Sequence, residues 1–502
     1  MPSQRRPRRD VVRGATAALV ALAVLATAPA RPAAAGGLLD TVGGVVGSVT
    51  GLVSGNGFQL GLFDEFEPNG TPTRLSQVRT AINGDAANKS GYDGTGIDVA
   101  MIDTGAVPVA GLDTAAAVTV GPDLSFDRQS GLADGLDGYG HGTHLAGIIA
   151  GRGDAQNKGI ANGARIVNVK VGASNGAADV SQVIAAIDWV VQNRKAGGLN
   201  IRVINLAYGT DGTQSAQIDP LTHAIQSAWR NGIVVVVAAG NTGKALTNPA
   251  TDPYVITVGA ATLKSGLLTS DRVADYSSVG TAARRVDLVA PGTSIISLRD
   301  PGSTVDDDHP EARVGDRYFR GTGTSQASAV TSGAVASLLE ARPTLTPDQV
   351  KGILRSSARV LTTSPATSQG AGMIDLGAAL KAKAPTTAQS FPKSTGLGTL
   401  EKSRGSVHVA LGPTVLTGEY DVQYASWKPS VWAPLSSAGK AWTGNKWNGN
   451  VWTGGTWTDG AAPWPGRTWK GAAWSGRTWK GDAWTGRTWK GDTWTGRTWK
   501  SA

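Results

Sequence analysis

From residue 97 onward, short, mainly apolar runs alternate with longer stretches in which apolar positions recur every three or four residues. The runs near 97–102, 165–171, 203–207, 233–239 and 255–260 have the length and β-branched content of buried strands. The stretches near 179–194, 220–231, 324–341 and 346–356 carry the period of amphipathic helices. Runs this rich in apolar residues predict strands covered on both faces, and their alternation with helices predicts a parallel sheet, so the expected fold class is α/β. In such a sheet, functional side chains gather at the carboxyl ends of the strands.

The flanks read differently. Residues 1–35 have the pattern of a signal peptide: Arg5, Arg6, Arg8, Arg9 and Arg13, then a hydrophobic stretch from Ala15 to Ala28, then Ala33-Ala34-Ala35 as a cleavage site, with Ala28-Pro29-Ala30 as a rival. Arg8-Arg9 also fits a twin-arginine export signal, and both export routes stay open. A hydrophobic stretch of fourteen residues is too short for a spanning helix, and no later run replaces it, so no transmembrane segment is expected in the mature chain. The predicted destination is secreted and extracellular.

Further along, residues 36–73 form a short N-terminal segment in which Gly43, Gly44, Gly47 and Gly51 interrupt an amphipathic spacing. A catalytic body is expected over 74–383 and a Pro/Ser/Thr/Gly-rich linker over 384–402. A β hairpin over 403–426 turns through Gly412-Pro413, and a Trp/Gly repeat tail fills 427–502. Fourteen of the 16 tryptophans lie in that tail, every fifth residue from Trp464 to Trp499. Five is odd, so on one straight strand successive indoles would point to opposite faces, and on a helix they would spiral. Residues 466–502 hold no Leu, Ile, Val, Met or Phe, which leaves either a solenoid of stacked rings or an open array of indoles and cations.

Charge separates the same regions. The chain's formal +9 comes from its ends: +5 in residues 1–35 and +6 in 461–502, leaving −2 for everything between. After export, only the tail is cationic. It suits an anionic or glycan polymer such as a cell wall, which would make the protein envelope-associated, or it is a spacer without a ligand. Nucleic acid would satisfy the same chemistry, but export makes it the weaker match. A cut after Lys440 is expected to leave catalysis intact and lower retention on envelope material. The absence of cysteine rules out a disulfide framework and is compatible with export.

Three words carry the candidate chemistry: Asp103-Thr104-Gly105, His141-Gly142-Thr143-His144 and Gly323-Thr324-Ser325. A serine hydroxyl is a poor nucleophile near neutral pH. It needs a base, and the base needs an orienting acid. Asp103 closes an apolar run, while His141 and Ser325 open helical segments. Asp-Thr-Gly is also an aspartic-protease signature, but that chemistry shares a proton between two such carboxylates and the chain has no second copy. His144 is expected to be structural.

These words, in the order acid, base, serine, resemble the subtilisin-like serine proteases over roughly residues 74–382. Gly159-Ile160-Ala161, Val203–Leu206, Val237–Asn241, Asn248-Pro249-Ala250 and Leu288–Gly292 fall in family order. The run after the serine, Gln326-Ala327-Ser328-Ala329, lacks the family's apolar residue and proline, and Ala207-Tyr208-Gly209 stands where Ser-Leu-Gly is common. The resemblance implies a three-layer subtilisin-like catalytic domain that hydrolyses polypeptides as a serine endopeptidase, with Asp103, His141 and Ser325 as its triad. It further implies Asn241 as an oxyanion donor beside the Ser325 N–H, and backbone edges at Ala207, Tyr208, Gly209 and Ala238, Ala239, Gly240 for an extended substrate. No cofactor is required. Calcium is implied by resemblance only, since no compact carboxylate loop has ligand spacing.

Overall fold

The apolar runs become the parallel strands of an eight-stranded sheet. The computed structural model describes residues 71–127, 135–264, 270–411, 414–452, 478–480 and 498–500. Strands β1 (Asp98–Asp103), β2 (Val118–Asp123), β3 (Arg165–Lys170), β4 (Ile201–Leu206), β5 (Val234–Ala238) and β6 (Ile256–Thr262) pair in parallel in the order β2-β3-β1-β4-β5-β6. On β6, β7 (Arg272–Val273) pairs antiparallel and β8 (Leu288–Pro291) parallel. The five expected strands are present, and β5 is buried along its whole length, as a strand covered on both faces must be. The expectation omitted β2, whose run is interrupted by Gly121 and Pro122; it lies at the sheet edge, where proline is tolerated.

The four expected helices are present, and three of them start where their capping side chains say they should. They are α2 (Val180–Asn193), α3 (Pro220–Arg230), α4 (Thr324–Ala341) and α5 (Pro347–Ser357), preceded by α1 (His141–Ala150). Asp179 caps α2 in a capping box with Gln182, and Asp219 caps α3 ahead of Pro220. Thr346 and Gln349 do the same for α5. Helix α1 packs on α4, and α2 on α3, giving the three-layer architecture. The chain places β3 and β2 on one side of β1, then crosses to β4, β5 and β6 on the other. The order reverses between β1 and β4, so a crevice opens at their carboxyl ends.

A small antiparallel sheet, β9 (Ile295–Leu298), β10 (Arg313–Val314) and β11 (Tyr318–Gly321), lies beside α1. Farther on, β12 (Ala410–Leu411) and β13 (Thr414–Val415) pair antiparallel, while the expected turn at Gly412-Pro413 lies outside the described residues. Residues 1–70, with the expected signal peptide, lie outside the described residues, as does most of the expected tail. Of that tail, β17 (Thr478–Lys480) and β18 (Thr498–Lys500) pair in parallel with equivalent repeat positions in register, Trp479 with Trp499. No helix among the described residues is long and apolar enough to cross a membrane.

The first stretch of tryptophans folds onto the catalytic body. Strands β14 (Trp442–Thr443), β15 (Lys446–Trp447) and β16 (Asn450–Val451) make an antiparallel meander in which Trp442 faces Trp447. Its turns are Gly444-Asn445, with Gly444 at φ 59°, and Asn448-Gly449, with φ values of 49° and 84°. These are the left-handed conformations that two-residue hairpin loops demand. A chain that reverses every five residues does not carry the alternation of a straight strand forward. The odd spacing therefore gathers Trp442, Trp447 and Trp452 into one buried cluster with Trp427 and Trp432.

That cluster is anchored on α2. The indoles of Trp432 and Trp447 donate to Asp188 Oδ2 at 2.8 and 2.9 Å, and the Ser436 hydroxyl donates to Oδ1 at 2.6 Å. Trp442 donates to the Ala185 carbonyl. Burial pushes the Asp188 carboxyl up to about 6, against these three hydrogen bonds. Because this lies above its ordinary 3.8, protonation adds stability that is fully present below about pH 4 and lost as the pH rises through about 6. Relative to Asp188→Asn, which cannot titrate, the native protein is expected to gain roughly 1–3 kcal/mol between pH 7 and pH 4. Chemical unfolding of both proteins across that range checks it, and a constant difference would show that Asp188 does not titrate as its burial requires.

Candidate active site

Asp103 is the last residue of β1, beside the reversal of strand order, and His141 is the first residue of α1. Their side chains are both buried and meet directly, His141 Nδ1 at 2.7 Å from Asp103 Oδ1. A carboxylate can only accept in this bond, so Nδ1 carries the proton and the neutral ring keeps its lone pair on Nε2. Asp103 Oδ1 also accepts from the Thr104 N–H at 2.8 Å, and Thr104 Oγ1 accepts the Gly142 N–H at 2.9 Å. Thr104 thus ties the acid's strand to the base's helix. The glycine after the histidine is required by the same approach, because a side chain at Gly142 would collide with the Gly105 carbonyl.

Two residues that the sequence reading missed hold this arrangement. Asp137 accepts the N–H groups of Tyr139, Gly140 and Thr143 and the Thr143 hydroxyl, which places a carboxylate at the positive end of α1. Lys170 lies opposite Asp103 in the β1–β3 register and is fully buried. Its ammonium donates to the carbonyls of Thr104 and Leu136 at 2.9 and 2.7 Å and pairs with Asp127 at 2.8 Å. Burial works against its charge, but Asp127, Asp123 and Asp137 outweigh burial and raise its pKa. The only sequence signal for either was position: Lys170 ends an apolar strand, and Asp137 stands four residues before the histidine.

Ser325 is the second residue of α4, and its buried hydroxyl has no hydrogen-bond partner among the described residues. Asn241 stands beside it. Asn241 Oδ1 accepts the Thr324 N–H and hydroxyl, each at 2.9 Å, and the Gly240 N–H donates to Thr324 Oγ1 at 3.1 Å. Since the Thr324 N–H can only donate, the atom it meets must be oxygen, and the other arm of the Asn241 carboxamide is the donor. The nucleophile and base candidates thus both stand at the starts of two helices packed on each other, with the acid at the adjoining strand end.

Among the residues expected to meet substrate, Ala207 and Tyr208 continue β4 and are buried; Gly209 follows them. Leu206 pairs with Val237, so Ala207 lies level with Ala238. The Ala239 N–H donates to the Val258 carbonyl and its own carbonyl accepts from Thr247, while the Gly240 carbonyl accepts from Ser278. The main chain of Ala239 and Gly240 is therefore engaged within the protein. His144 is buried and pushed down to about 3 by burial first and His141 second, so it stays neutral. Among the described residues, no three or more His, Cys, Asp or Glu side chains are gathered as a metal ion would need, and calcium finds no such set there.

Comparison with known proteins gives a consistent picture. A model of the subtilase family matches residues 94–373. Serine protease AprX of Bacillus subtilis is 33% identical over 319 residues, covering 61% of this chain and 70% of that protein. Subtilisin DY of Bacillus licheniformis is 34% identical over 304 residues, covering 59% of this chain and 96% of that protein. Among solved structures, fervidolysin from Fervidobacterium pennivorans, a keratinolytic enzyme related to subtilisin, is 29% identical with a TM-score of 0.49. The match covers 62% of this chain and 46% of that one, so this chain spans just under half of that protein's length.

Proposed function

This chain belongs to the subtilase family of serine proteases, and from that premise we propose that it is a secreted endopeptidase in which Asp103, His141 and Ser325 act as the triad. The observation that carries the assignment is the 2.7 Å contact between the acid and the imidazole, both buried at the carboxyl end of β1. Ser325 Oγ attacks the peptide carbonyl while His141 Nε2 takes its proton; the imidazolium then gives that proton to the leaving amine. Water repeats the sequence on the acyl-enzyme and regenerates the serine. Asp103 accepts the Nδ1–H bond and stabilises the imidazolium.

The tetrahedral intermediate places a negative charge on the former carbonyl oxygen. The Ser325 N–H, at the start of α4, and the Asn241 amide are its proposed donors, and Thr324 fixes the orientation of that amide. An extended polypeptide lies against Ala207–Gly209, a recognition of main chain that favours broad side-chain preference. Export rests on the pattern of residues 1–35, and attachment to an anionic or glycan polymer rests on the cationic, tryptophan-rich composition beyond Trp452.

The test is labelling with a fluorophosphonate followed by mass spectrometry of the adduct. The label is expected on Ser325. In Asn241→Leu, peptide turnover is expected to fall about 100- to 1000-fold with KM little changed, a magnitude carried over from subtilisin. Labelling at another residue, or full turnover in the variant, would remove the assignment.

A further inference from the structure

The segment proposed to meet substrate is held from a distance of about two hundred residues. Thr210, directly after Ala207–Gly209, exchanges backbone hydrogen bonds with Asn248 at 2.9 and 2.8 Å. Its hydroxyl donates to the Ser403 carbonyl at 2.6 Å, and Asn248 Nδ2 reaches Ser403 Oγ at 3.3 Å. One residue on, the Asp211 carboxylate accepts the Ser406 N–H at 2.6 Å. Ser403 and Arg404 close a short helix, α6 (Leu400–Arg404), capped by the Thr399 hydroxyl. This helix straddles the boundary between the stretches that sequence alone assigned to a linker, 384–402, and to a β hairpin, 403–426.

Arg404 fixes that helix in place. Its side chain is completely buried and grips Asp179, with Nε to Oδ2 at 2.5 Å and Nη2 to Oδ1 at 3.2 Å. Nη1 also donates to the Gly418 carbonyl at 2.7 Å and to Glu401 Oε2 at 3.5 Å, and Nη2 to the Tyr420 carbonyl. Asp179 is itself the cap of α2. The Tyr208 phenol lies within the field of this pair: its pKa is raised by burial first and by Asp179 second, with Arg404 opposing. A buried ion pair of this kind adds little net stability over an apolar pair of the same volume, whereas it fixes one geometry.

We propose that α6 is part of the substrate-binding face, with Arg404 and the Ser403 carbonyl acting as the positioning groups that hold Tyr208–Thr210 extended for a polypeptide chain. This rests on the peptidase reading above. A substrate long enough to lie along Ala207–Gly209 feels the loss of the clamp. An acyl group that reaches only the serine does not.

The experiment compares kcat/KM for an extended peptide with that for a short acetyl ester, in the full chain carrying Thr210→Val, Arg404→Met or Arg404→Lys. Thr210→Val, which keeps shape and removes the hydroxyl that donates to the Ser403 carbonyl and accepts from the Gly212 N–H, is expected to lower the long-to-short ratio about fivefold through KM. Arg404→Met is expected to lower it about tenfold or more. Arg404→Lys restores only part, because an ammonium cannot reproduce the forked contact. An unchanged ratio in Thr210→Val, a variant expected to fold whatever Arg404→Met does, overturns the proposal, as does an equal loss on both substrates. Fluorophosphonate labelling of the unaltered chain separates the two readings. If Ser325 labels and the ratio holds, only the clamp falls; if Ser325 does not label, the peptidase reading falls and takes the clamp with it.

Discussion

Ser325→Ala is expected to lower kcat on a polypeptide substrate by about 10⁵- to 10⁶-fold while leaving KM within a few fold, a magnitude carried over from subtilisin. In the proposed mechanism the hydroxyl is the atom that bonds to substrate, and α4 offers no substitute: Ser328 is turned to the Ser325 carbonyl and Asn205, and Ser332 to Asn205. Base and nucleophile act as one unit, so adding His141→Ala to the serine variant is expected to cost almost nothing further. Residual turnover above that of water would come from the proposed oxyanion donors, so adding Asn241→Leu should lower it again. The measurement is kcat on casein or a chromogenic peptide, with enzyme concentration taken from absorbance because the variant cannot be titrated at its active site. Full activity in Ser325→Ala would end the acyl-enzyme account.

The framework that positions these groups was legible where local chemistry and the fold point the same way. The runs that became β1 and β3–β6 are mainly apolar and rich in valine and isoleucine, the 233–239 run without interruption. The helices announce themselves through Asp179 with Gln182, Asp219 before Pro220, and Thr346 with Gln349. The triad words were legible because close approach leaves them little freedom, Gly142 being held to glycine by the Gly105 carbonyl. What stayed hidden was chemistry made by contact between distant segments. Asp137 is one of 38 acidic residues, and nothing local distinguishes it from the rest. Lys170 reads as a charged residue closing a strand, and only the register of β1 with β3 puts its ammonium beneath the turn after Asp103. Arg404 has no motif at all, and its role depends on Asp179, 225 positions away.

The tryptophans show a different limit, since their period was plain and its consequence depended on an assumption about geometry. On one straight element an interval of five scatters the rings, and a cut after Lys440 then looks harmless to the catalytic body. Chain reversal at Gly444-Asn445 and Asn448-Gly449 changes that conclusion. A cut after Lys440 removes Trp447, fully buried, together with the nearly buried Trp442 and Trp452. It also takes one of three donors from the buried Asp188 and the indole partner of the Ala185 carbonyl. Replacing one buried tryptophan with alanine costs about 3–5 kcal/mol, and whole domains are stable by only about 5–15 kcal/mol. The chain ending at Lys440 is therefore expected to lose cooperative thermal unfolding or to melt at least 10 °C lower, an order-of-magnitude estimate from the same terms. A chain ending at Trp452 keeps every one of these contacts and is expected to melt within about 2 °C of the full protein, with hydrolysis retained. Differential scanning calorimetry of the two truncations beside the intact chain decides between the geometries: equal melting of both would mean that the meander contributes nothing to α2. Retention on envelope material, measured only with the Trp452 truncation, then reports on the repeats beyond it without the confusion of a loosened core.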